Sequence, residues 1–181
     1  MKIEIVNLTE RNLKDAPEFA TDPFSCKYCV YWEFPEECID KTKERKEDML
    51  QKKLKWLEST KKKFGNCGKI MYVDSKPCGY AQYALPALLP KSRNYDSHPT
   101  NDAVLISCLF ISQKEFRGLG LGSKLLQSII KDLKKRGMEA VETFARKGKP
   151  DNPSGPVEFY LKNGFRIHRN DTEFPLMRLD L

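Results

Sequence analysis

Residues 109–135 read LFISQKEFRGLGLGSKLLQSIIKDLKK, and the order of strand, glycine-rich turn and helix in them decides the fold. The stretch begins inside AVLISCLFI (103–111), a continuous apolar run of the kind a central strand needs when both its faces are covered. After the turn, Leu125, Leu126, Ile129, Ile130 and Leu133 form an amphipathic stripe over 123–136, closed by Gly137. Between them, glycines at 118, 120 and 122 free the backbone for positive φ, so that successive amides can point into one concavity. The start of the helix adds its positive dipole end, and a diphosphate is the natural guest.

Three phosphate motifs compete for this turn. A Gly-x-x-x-x-Gly-Lys-Ser/Thr loop fails because Lys124 follows Ser123 rather than glycine. A dinucleotide fingerprint counted from Gly118 meets Ser123 where its last glycine belongs, although Glu142 stands about 20 residues on, where a ribose-binding acid would. The third pattern, Arg/Gln-x-x-Gly-x-Gly, is met by Arg117-Gly118-Leu119-Gly120-Leu121-Gly122, which resembles the acyl-CoA diphosphate loop of the GNAT superfamily of N-acyltransferases. Downstream, Tyr160-Leu161-Lys162-Asn163-Gly164-Phe165 resembles that superfamily's later Tyr-x-x-x-Gly-Phe motif, and Asn152 sits where such proteins often carry a CoA-contacting asparagine.

The resemblance covers 103–168 and implies one α/β domain over 1–181, a mixed, mostly antiparallel sheet of six or seven strands flanked by helices, with a splayed parallel strand pair. It implies acetyl-CoA as co-substrate, with its diphosphate on Arg117, Gly118, Leu119, Gly120, Leu121, Gly122 and Ser123, its pantetheine on Leu109, Phe110 and Ile111, and a further contact from Asn152. It also implies that an amine attacks the thioester directly while Tyr160 donates to the departing thiolate. The stretch from Ile111 to Arg117 is one residue longer than the common spacing, which leaves open the strand amide that meets the acyl carbonyl.

The rest of the chain is read from pattern. KIEIVNL (2–8) alternates as a half-buried strand, and Thr9 with Asn12 suggests a helix entry. Residues 35–64 suggest a mostly helical segment, within a variable insert (22–64) assigned to the acceptor side. KIMYV and CGYAQYAL, joined at 74–77, suggest a hairpin, and 86–102 a long loop. MEAVETFA (138–145) is expected to run parallel to the central strand, followed by a short helix at 157–163 and strands near 164–168 and 174–180.

Composition bounds the function. No run of 18 apolar residues suits a membrane span, the first residues lack a signal peptide's apolar core, and a cytoplasmic protein with reduced thiols is expected. Residues 41–63 carry ten Lys or Arg against four acids within a chain of net charge +7. Because the signs are interspersed and no RNA-binding motif accompanies them, a solvated face is favoured over nucleic acid. Cys26, Cys29 and Cys38 offer three thiolates for a structural zinc, yet the aromatic setting of Tyr28, Tyr31, Trp32 and Phe34 suits packing better, and no metal is expected. His98 and His168 are weak candidates for a general base. Trp32 and Glu33 are placed where they could select a substrate if the insert folds over the cleft. Monomer and homodimer stay open, as does the rival reading of a non-catalytic module that senses acyl-CoA or binds RNA.

Overall fold

The computed structural model describes residues 1–17, 25–37, 46–148 and 154–181. Seven strands form one sheet: β1 (Ile3–Asn7), β2 (Gly68–Val73), β3 (Lys76–Ala84), β4 (Ala103–Ile111), β5 (Ala140–Phe144), β6 (Arg166–Arg169) and β7 (Leu176–Asp180). Their order across the sheet is β1-β2-β3-β4-β5-β7-β6, and only β4 and β5 pair in parallel. Three α-helices accompany them, α1 (Lys46–Phe64), α2 (Leu121–Lys135) and α3 (Val157–Lys162). The α/β class, the mixed sheet and the parallel pair are as the sequence suggests.

β4 is the core of the molecule, buried at every position because elements cover both of its faces. α2 lays Leu125, Leu126, Ile129, Ile130 and Leu133 inward, as the stripe requires. On the opposite face α1 buries Met49, Trp56 and Leu57, and the insert contributes Cys26 and Trp32. The β2–β3 hairpin closes through Asp74 (φ 48) and Ser75 (φ 67), the left-handed pair that a two-residue turn of this twist demands.

Two irregularities in β4 shape the site. Gln82 pairs with Cys108 but Tyr83 pairs with Ile106, so Ser107 is an extra residue bulged out of the ladder. On the other edge, pairing with β5 ends at Ile106↔Thr143, whereas β4 continues for five more residues to Ile111. From Ser107 onward the two parallel strands part.

The structure refines several expectations. Of the mostly helical segment expected over 35–64, Lys46–Phe64 is helix and Pro35–Glu37 is a 3-10 turn, while residues 38–45 lie outside the described set. The helix entry at Thr9 gives only a 3-10 turn, Leu13–Asp15, although Thr9 and Asn12 exchange the reciprocal side-chain to backbone bonds of a capping box. The long loop expected at 86–102 contains 3-10 turns at Pro86–Leu88 and Pro90–Asn94 and is anchored: Trp56 Nε1 donates to the Leu88 carbonyl at 2.9 Å, and the Thr100 amide and hydroxyl both donate to Glu142 at 2.8 Å. No helix among the described residues is long and apolar enough to cross a membrane.

Candidate active site

The glycine turn has the conformation its sequence requires. Gly118 (φ 77) and Gly120 (φ 75) lie in the left-handed region, and Gly120 caps α2. The first amide bonded within the helix is that of Lys124, to the Gly120 carbonyl at 3.1 Å, so Leu121, Gly122 and Ser123 have amides no helical carbonyl can reach. A Cβ on Gly122 would lie 3.3 Å from the Phe159 ring, which ties the turn to α3. The extra residue between strand and loop is taken up in a 3-10 turn at Lys114–Phe116, and Arg117 Nε donates to the Ile111 carbonyl at 3.2 Å. Gly118, Leu119 and Gly120 are exposed.

Leu109, Phe110 and Ile111 lie on β4 beyond its last register pair with β5. Phe110 stands beside Tyr80 of β3, ring centroids 6.0 Å apart.

Tyr160 on α3 is fully buried, with its ring edge-on to Phe159 (5.0 Å) and Phe165 (5.4 Å). Its hydroxyl makes no well-formed hydrogen bond, although it lies close enough to Thr143 for that side chain to act on it. Gly155 (φ 72) permits the close approach of the preceding loop, since a Cβ there would stand 3.5 Å from that hydroxyl. Burial raises the Tyr160 pKa, with Thr143 opposing and Cys108 adding to the rise. Thr143 is the last residue of β5 paired with β4, and its own hydroxyl donates to the Ile106 carbonyl at 3.0 Å. The Tyr160 hydroxyl therefore belongs to the point where β4 and β5 separate.

On the α1 face lies a group that periodicity alone does not reveal. Lys53 is buried and donates to both Glu33 Oε1 and Gln82 Oε1. Gln82 Nε2 donates to Glu33 Oε1 at 2.8 Å, and the Tyr80 hydroxyl donates to Gln82 Oε1 at 2.9 Å. Burial pulls the Lys53 pKa down more than any other single influence, but the charge and hydrogen bond of Glu33 together with Cys29 and Cys108 outweigh it, and the ammonium is held above its ordinary value. Glu33 Oε2 is buried without a partner. Next to the network Cys26 and Cys108 share a hydrogen bond; that bond and burial push the Cys26 thiol up.

An aromatic wall closes the same side. Trp32 stacks on Phe144 (5.8 Å) and Tyr95 (5.7 Å), Tyr95 on Phe144 (4.4 Å), and the Tyr31 and Tyr95 hydroxyls are 2.9 Å apart. The insert thus reaches the cleft through Cys26, Trp32 and Glu33.

Other candidates fall elsewhere. Glu142 is fully buried and engaged by Thr100 and Arg178, so it has no oxygen to offer a ribose. His168 Nε2 is 3.8 Å from Glu142, and the His98 carbonyl accepts from Arg169. Cys38 and Asn152 lie outside the described residues, and among the described residues no group of three or more His, Cys, Asp or Glu could hold a metal ion. Cys26, Cys29, Cys67, Cys78 and Cys108 are all reduced. Of the basic helix, Lys52 pairs with Asp48, Lys61 with Glu10 and Lys62 with Glu58.

Comparison with known proteins agrees with this geometry. The model of the acetyltransferase (GNAT) domain matches residues 69–167, more than half of the chain. No curated protein matches the sequence. Among solved structures, the PaiA N-acetyltransferase of Thermoplasma acidophilum in complex with coenzyme A is similar over 100% of both chains, with 18% identity and a TM-score of 0.61. An N-acetyltransferase of Staphylococcus aureus Mu50 is similar over 99% of both chains at 13% identity and a TM-score of 0.63. The ribosomal-protein-alanine N-acetyltransferase of Brucella melitensis is similar over 98% of this chain and 99% of its own, at 16% identity and a TM-score of 0.59. At these identities the structural likeness speaks for the fold.

Proposed function

The chain belongs to the GNAT acetyltransferase family, whose donor is acetyl-CoA, and from that premise we propose that it acetylates a primary amine by direct attack on the thioester. The observation that carries the reading is the parting of β4 from β5 at Ile106↔Thr143, with a buried tyrosine hydroxyl that lacks a well-formed hydrogen bond at the same point. A sheet that opens on one side of a strand offers backbone to an extended pantetheine. Leu109, Phe110 and Ile111 take that role, and the amides and charge of Arg117 through Ser123 hold the diphosphate. Asn152 is assigned to the CoA by the family resemblance.

The chemistry follows from what the chain presents. An amide of β4 past the Ser107 bulge stabilises charge on the acyl oxygen as nitrogen attacks. Tyr160 donates its hydroxyl to sulfur as the C–S bond breaks. Because burial raises its pKa, Tyr160 keeps its proton at neutral pH and is a sound donor. For the same reason full transfer to a thiolate, whose ordinary pKa of ~8.5 lies below a phenol's ~10, runs uphill. Tyr160 therefore acts by hydrogen bonding, and the proton that ends on sulfur originates on the attacking amine. In the basic helix Lys52, Lys61 and Lys62 pair with carboxylates and Lys53 is buried, which weighs against an RNA-binding role.

Isothermal titration with acetyl-CoA tests the donor site. Micromolar binding is expected, lost when Arg117→Ala is combined with Gly120→Val, because valine is strained at positive φ. Thiol release on addition of amines then tests transfer; a wild-type protein that binds acetyl-CoA and acetylates no amine refutes the proposal.

A further inference from the structure

Two of the polar atoms buried without a well-formed hydrogen bond belong to side chains with chemistry to offer, the Tyr160 hydroxyl and Glu33 Oε2. They come from different elements, one beside Thr143 of β5 and the other bonded to Gln82 of β3. Tyr160 approaches through Thr143 on β5, and its titration responds to Cys108. Glu33 is bonded to Gln82, the residue of β3 that pairs with Cys108 across a single strand spacing of about 4.8 Å. The first hydroxyl suits the departing sulfur, which leaves the second orphan to be explained.

Stability does not explain it. A side chain that is 0% exposed and carries a carboxylate is costly to bury, and the cost is least when both oxygens are bonded. Here Lys53 and Gln82 crowd their donors onto Oε1 alone. They fix the carboxylate in one orientation. The other oxygen is left to accept from a donor that the described residues do not supply.

We propose that Glu33 Oε2 accepts an N–H bond from the attacking amine, and that Trp32, Tyr95 and Phe144 receive the amine's apolar carbon chain; the proposal rests on the N-acetyltransferase reading of the same cleft. An uncharged amine donates one N–H to Oε2 and turns its lone pair toward the acyl carbon. As the C–N bond forms, nitrogen becomes positive beside a fixed carboxylate. The C–S bond then breaks with Tyr160 bonded to sulfur, and the nitrogen's surplus proton leaves by way of Oε2 to end on the released thiol. The net change is one amide formed and one thioester converted to a thiol. Glu33 touches the substrate, while Lys53 and Gln82 act through it as positioning residues.

The test uses 2-phenylethylamine as acceptor and follows thiol release from acetyl-CoA. Glu33→Gln alone strands Lys53 as a buried unpaired charge, so it is combined with Lys53→Met, which removes both charges together. In that double variant we expect an unchanged acetyl-CoA Kd, a retained cooperative melt, and kcat/KM for the amine about 30-fold lower, the order of one charge-assisted hydrogen bond. Glu33→Asp keeps the ion pair but withdraws the carboxylate by one methylene, and should raise the KM for amine without changing acetyl-CoA binding. Wild-type amine kinetics in either folded variant overturn the proposal and leave the N-acetyltransferase reading intact. A wild-type protein that ignores 2-phenylethylamine yet acetylates other amines overturns the assigned substrate class, and one that acetylates no amine removes the parent reading too.

Discussion

Replacing Tyr160 by phenylalanine should separate stability from turnover in opposite directions. The hydroxyl is buried and its contact with Thr143 falls short of a well-formed hydrogen bond, so removing it gives up little bonding and relieves a poorly solvated oxygen. An unsatisfied buried polar group costs about 1–3 kcal/mol. The ring remains packed between Phe159 and Phe165, and recovering even roughly 1 kcal/mol raises the Tm of a chain this size by about 2–4 °C. Turnover should move the other way. Loss of a donor aimed at developing charge costs on the order of 100- to 1000-fold in kcat, and sulfur, a weaker acceptor than oxygen, places Tyr160→Phe near the lower figure. Thermal melting, isothermal titration with acetyl-CoA and thiol release at saturating donor check the three quantities on one preparation. A Tm that drops by several degrees with kcat within twofold of wild type would mean that the hydroxyl holds the fold together and has no role at the sulfur.

Three further substitutions probe the frame around the cleft. Ser75→Gly, at φ 67 in the β2–β3 turn, should add about 0.5–1 kcal/mol of stability, read as a higher urea midpoint at unchanged slope. Gly68→Ala should cost about 1–3 kcal/mol, because its Cβ would lie 2.9 Å from the Ala81 carbonyl oxygen, a backbone atom that cannot turn aside; a Tm equal to wild type would refute this. Asp102 is held well below the usual carboxylate range, first by Arg178 and then by Thr100, so its contribution is present above the unfolded pKa of ~3.9 and is lost as pH falls through the lower folded value. Its side chain is 48% exposed, so Asp102→Asn should cost no more than about 1 kcal/mol at pH 7. In urea titrations the gap to wild type should shrink below about pH 4, and a gap independent of pH would refute the assignment.

The parts of the site legible in the sequence are those governed by local chemistry. Gly118 and Gly120 announce a backbone conformation that other residues avoid, the stripe from Leu125 to Leu133 can only be one face of a helix, and AVLISCLFI is too apolar for any strand with a wet side. What stayed hidden depends on partners distant in the chain. The Ser107 bulge exists only in the register between β3 and β4, and nothing in Ser107 itself marks it. Lys53 looks like its neighbours on a charged helix, and only the arrival of Glu33 from the insert and Gln82 from β3 makes its burial tolerable. Glu33 could be suspected as a substrate-selecting residue beside Trp32, but its bonds to Lys53 and Gln82 could not.

Among the described residues, the four register pairs between β4 and β5, from Ala103↔Ala140 to Ile106↔Thr143, are the only strand pairing that joins β1-β2-β3-β4 to β5-β7-β6. A sheet stitched together so briefly at its middle behaves as two plates with a short hinge line. A ligand lying along the unpaired stretch of β4 fills the place of the missing ladder, binding the folded chain and not the unfolded one, and at 100 times its Kd such a ligand adds about 2.7 kcal/mol. The donor is then also a mechanical brace, and the amount of intact protein in a cell should rise and fall with the supply of the acyl group it consumes.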